Sequence, residues 1–89
     1  MIDNIKALRN CFQELFGNSY LNNCFIEVTD SDNNETVISA NQEGLLLLIE
    51  ELICLCESSQ PGIHYHLDEC GMAHKCNKPV VFSFADAHW

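Results

Sequence analysis

An α+β fold is predicted, with helices packed on a four-stranded, largely antiparallel sheet in the order α-β-β-α-β-β. Three observations on this 89-residue chain lead to it. Two segments repeat apolar residues at three- and four-residue steps, the period of a helix buried along one side. Four others favour a period of two, as half-buried strands do. Clusters of turn formers separate the segments, and no repeat, linker or low-complexity tract divides the chain. Residues 1–89 therefore read as a single domain with a thin but sufficient core.

The first helix spans 3–16. Asp3 is placed to cap its start, and Ile5, Leu8, Phe12, Leu15 and Phe16 form its apolar stripe. Gly17-Asn18 ends it, because these residues tolerate a positive φ. Residues 24–29 read as a strand with Cys24, Ile26 and Val28 inward. The turn formers of 30–34 then predict a hairpin to a second strand at 35–40. Asn41 caps a second helix over 42–57, with Leu45, Leu46, Leu48, Ile49, Leu52, Ile53 and Cys56 expected to face the core. Glu43, Glu50, Glu51 and Glu57 are expected to mark its wet side. A loop at 58–62 leads to a third strand at 63–68, a hairpin turn over 71–78, and a last strand at 80–85.

Charge narrows the class of partner. The formal net charge is -9, and every charged side chain between Arg9 and Lys75 is acidic: Glu14, Glu27, Asp30, Asp32, Glu35, Glu43, Glu50, Glu51, Glu57, Asp68 and Glu69. Such a chain repels nucleic acid and anionic membranes and is attracted to basic proteins. Hydrophobic residues at 47% place this charge on a folded body rather than on a disordered tail. The apolar run 45–49 stops at Glu50-Glu51, far short of a bilayer span. No secretory leader follows Met1, so a cytoplasmic location is expected, with the six cysteines as reduced thiols. No CxxC pair occurs, which argues against zinc ribbons and thioredoxin-type redox chemistry.

The segment 62–69 is the most informative. Alternation puts Ile63, Tyr65 and Leu67 on one side of the third strand and His64, His66 and Asp68 on the other. The second row, with Glu69 and Glu27, can offer acceptors to lysine and arginine on a partner, with Tyr65 or Trp89 as aromatic anchor. The same residues permit a second reading, a small metal-binding protein. Histidines two apart on a strand point the same way, and Cys70, His74 and Cys76 follow, so His64, His66, Asp68, Cys70, His74 and Cys76 form the alternative ligand set. Catalysis has less to stand on. Cys70 and His66 pair only on paper, and GxSxG, HExxH and a phosphate-cradling glycine loop are all absent. No enzyme activity and no cofactor are expected. Unpaired edge strands offer a route to a homodimer.

The segment Asn41-Gln-Glu-Gly44-Leu45 opens a leucine-rich helix. It is followed by Gly62-Ile-His-Tyr-His-Leu-Asp-Glu69 and a short terminal strand. In this order and spacing, over about residues 37–85, the chain resembles small bacterial proteins encoded beside polymorphic toxins, the immunity family numbered thirty-two. The resemblance implies that the chain binds a cognate toxin and blocks it without catalysis. Many such toxins are nucleases with basic grooves, which an acidic protein suits.

Overall fold

A computed structural model describes residues 2–58, 60–68, 73 and 75–85. Helix α1 (Ile2–Phe16) leads through a short 3-10 turn (Ser19–Asn23) to strands β1 (Ile26–Asp30) and β2 (Thr36–Ala40). Helix α2 (Gln42–Ser58) follows, then strands β3 (His64–Leu67), β4 (Lys75–Cys76) and β5 (Val80–Ser83). Helix α1 starts at Ile2, so Asp3 lies within its first turn instead of capping it. It closes where Gly17, at φ 58, donates its N–H to the Gln13 carbonyl at 2.9 Å.

Strand β1 carries the alternation expected of it: Cys24, Ile26 and Val28 are buried, with Ile26 and Val28 fully enclosed. It pairs antiparallel with β2 from Ile26 opposite Ala40 to Asp30 opposite Thr36, so the hairpin forms where the turn residues predict. Ser31 holds the loop, its hydroxyl accepting from the N–H groups of Asn33 and Glu35. Phe12, Tyr20, Leu47, Ile53, Leu67 and Ala73 complete the core.

The four-stranded sheet does not form. The strands divide into two sheets, one in the order β2-β1-β4 and the other made of β3 and β5. The expected tight turn over 71–78 is replaced by an excursion. The chain leaves β3, lays β4 parallel to β1 with Cys76 opposite Val28, and only then returns as β5. The N–H of Asn77 donates to the Val28 carbonyl at 2.9 Å, fastening that excursion to the first sheet. The outer edge of β1 is thus taken by β4 and is closed to β3. The α+β class stands, but with two small sheets around one helix.

That helix is α2, and its start is a tie between elements. Asn41 caps it, its side-chain oxygen accepting from the Gly44 N–H at 2.8 Å and also from the Phe25 N–H at 2.9 Å. Its amide nitrogen donates to the Asn23 carbonyl at 2.7 Å. Gly44 then lies flat on β1. A Cβ there would run into the carbonyl oxygen of Phe25 and meet Ala40 Cβ and Ile26 Cγ1 at 3.0 Å each.

Docked through this corner, α2 shows a different side to water than its sequence predicts. Leu47 and Ile53 are buried, whereas Leu45, Ile49 and Leu52 are 51%, 46% and 41% exposed, and Cys56 is exposed too. Glu43, Glu50, Glu51 and Glu57 are all half-buried. The acids turned inward find partners: the Tyr20 hydroxyl donates to Glu50, and Arg9 faces Glu57 at 3.4 Å. Glu51 has its carboxyl pushed up by burial and then by the neighbouring Glu50.

This arrangement makes the fold sensitive to alkali. Burial first, and then the Glu50 hydrogen bond and charge, raise the Tyr20 phenol well above its ordinary 10.0. Burial and Glu51 raise Tyr65, and burial and Glu43 raise the Cys24 thiol from 9.0. Each group keeps its proton in the fold at a pH where the unfolded chain has lost it. Stability from these groups is therefore complete below their ordinary values and falls as pH rises beyond 9 to 10. The expected result is a melting temperature that declines steadily above that range, and a shallower decline in Tyr20→Phe, measured by circular dichroism.

Candidate functional site

The face singled out by the sequence is built by a turn and a strand pair. Pro61 and Gly62 occupy the centre of a turn closed by the Ile63 N–H on the Gln60 carbonyl at 3.1 Å, with Gly62 at φ 90. Proline followed by a residue at positive φ is the type II combination, which a side chain at position 62 would strain. The turn delivers β3 against β5 with His64 opposite Ser83, Tyr65 opposite Phe82, His66 opposite Val81 and Leu67 opposite Val80.

Alternation then separates the two faces. Leu67 is fully buried, and Tyr65, Val80 and Phe82 pack against the core. His64 and His66 are exposed, and so are Val81 and Ser83 beside them. The imidazole rings meet edge to face, with centroids 4.6 Å apart and planes at 88°. A ring nitrogen of His64, Nδ1, lies 2.9 Å from the Gly62 carbonyl, which can only accept, so Nδ1 carries the proton. Its Nε2 is then the unprotonated, accepting nitrogen of the neutral ring.

The rest of the expected row is divided between elements. Strand β3 ends at Leu67, and the half-buried Asp68 begins a bend in which its carbonyl accepts from the Ala73 N–H at 3.0 Å. Glu27 belongs to β1, in the other sheet, and among the described residues no hydrogen bond or ion pair joins it to His64 or His66. Glu69, Cys70, His74 and Trp89 lie outside the described residues. Within the described residues no three of His, Cys, Asp and Glu are grouped to hold a metal ion. Cys76 points its thiol at the Leu67 carbonyl at 3.8 Å, on the core side of the sheet from which the histidines face away.

Sequence reasoning passed over Val81 and Ser83. The signal was present, since Val80, Phe82 and Phe84 claim the inward positions of β5 and leave the alternate ones outside. The site is thus a small outward patch, His64, His66, Ser83 and Val81, which is half-exposed and apolar.

Comparison with protein-family models, with curated proteins and with solved structures found no match. No described helix is long and apolar enough to cross a membrane.

Proposed function

We propose that this chain is a non-catalytic binding protein for a basic partner, specifically an immunity protein that occupies and blocks a cognate bacterial toxin domain. The observation that carries this reading is the exposed His64–His66 pair, set edge to face on the outward face of the β3–β5 sheet. Beyond the local contact of His64 with the Gly62 carbonyl, these side chains are open to a partner, and a chain of net charge -9 draws a basic surface toward them. The resemblance in 41–45 and 62–69 supports the more specific immunity role. Acids on the β1–β2 hairpin, among them exposed Asp30, Asp32 and Glu35, would add long-range attraction.

The test is neutralisation. The toxin domain encoded by the neighbouring reading frame, expressed in bacteria, is expected to arrest growth, and co-expression of this chain is expected to restore it. Growth arrest that this chain leaves untouched would contradict the immunity reading. Kinetics add a second check. Association should slow as salt is raised, because the screening length shrinks to ~10 Å at about 0.1 M. Rates that stay flat between low and high salt would remove the electrostatic part of the account.

A further inference from the structure

His64 and His66 stand two apart on β3, so both leave the same side of the strand, and both are exposed. Their ring centroids are 4.6 Å apart. A metal–nitrogen bond of ~2.1 Å, with the nitrogen about 1.2 Å from its ring centre, puts each ring centre ~3.3 Å from a bound ion. Two imidazoles meeting at a right angle at the ion then have centres ~4.7 Å apart, whereas the tetrahedral angle needs ~5.4 Å. The observed separation is that of the right angle, which suits square-planar and octahedral ions. We propose that His64 and His66 together chelate a late first-row divalent ion of the nickel or copper type, each through one ring nitrogen, with the ion's other positions open to water.

A hydrogen bond at the turn supports this independently of the spacing. The Gly62 carbonyl holds the proton of His64 on Nδ1 at 2.9 Å, which leaves Nε2 with a free lone pair. Ligating imidazoles commonly donate their other N–H to a backbone carbonyl in this way, and the bond fixes the tautomer and the orientation of the ring. His66 is exposed on the same face, so it can turn about its side-chain torsions to meet an ion held by its neighbour. A net charge of -9 draws cations to the whole surface.

The ligand set is smaller than the six residues named from the sequence. Cys76 faces the core side, and no three candidate ligands are grouped among the described residues. Two protein ligands make an exchangeable site, and the fold is complete without the ion. The site shares its face with the binding role above but does not rest on it. Its test needs no toxin, so the two readings fail separately.

Equilibrium dialysis of the full chain against nickel chloride, from ~1 μM to ~1 mM free ion, tests the proposal. One ion should bind per chain, and the melting temperature should not depend on it. His64→Ala and His66→Ala should each weaken binding at least tenfold, because either removes half of the chelate. Both side chains are exposed, so both variants should fold as the parent does. No binding by the parent over this range would overturn the proposal. So would equal binding by the parent and the double variant, which would place the ion on thiols or on other groups, and so would loss in only one of the two single variants.

Discussion

Gly44→Ala is expected to destabilise the fold by about 2–3 kcal/mol, even though alanine is the better helix former by ~1 kcal/mol. The new methyl group would meet the Phe25 carbonyl oxygen, a backbone atom fixed at the start of β1, and also Ala40 and Ile26. None of these is the free end of a flexible side chain, so α2 must lift from β1. That movement would strain the three hydrogen bonds made by the Asn41 side chain. For a domain of this length, whose whole stability is on the order of 5–13 kcal/mol, the loss is a large share. Urea unfolding of the variant measures it. A variant as stable as the parent would show that α2 does not sit on β1 through this contact.

Leu67→Ala is expected to cost a similar or larger amount, about 3–4 kcal/mol. Leu67 is fully buried, and it is the only fully enclosed side chain that the described part of the second sheet contributes to the core. Truncation would leave a cavity between that sheet and α2. Val81, on the opposite face and 50% exposed, is the control: Val81→Ala should change stability by no more than ~0.5 kcal/mol. Equal effects from the two substitutions would mean that the inward and outward faces of the β3–β5 pair are misassigned.

Local features of this chain could be read from its sequence because local chemistry decides them. The period of two in Cys24, Ile26 and Val28 survives in β1, and turn formers mark the hairpin that follows. Asn41 caps α2, since a short amide at that position satisfies an N–H the helix leaves unpaired. His64 and His66 share an outward face for the same reason of alternation. Sheet membership was not legible, because it turns on contacts between distant segments. A strand of two residues, Lys75–Cys76, has no periodicity to detect, yet it takes the β1 edge and splits the sheet.

The orientation of α2 was hidden for another reason. Leucine and isoleucine fill 45–49 without a gap, so apolar side chains lie at nearly every azimuth of the helix. Which side goes inward then depends on partners elsewhere: the close approach at Gly44, the Tyr20 hydroxyl for Glu50, and Arg9 for Glu57. Strand β3 stops at Leu67, one residue short of the expected end at Asp68. A pattern of alternation does not say where it ends.

The most direct test of the binding role is isothermal titration of the purified toxin domain into this chain and into its His64→Ala/His66→Ala variant. Both side chains are exposed, so the variant should keep its melting temperature, with a stability change within ~0.5 kcal/mol. The account predicts saturable one-to-one binding by the parent, weakened at least tenfold, about 1.4 kcal/mol, in the variant. Undiminished affinity in a fully folded variant would contradict the assignment of this face, and no binding by the parent would contradict the function itself.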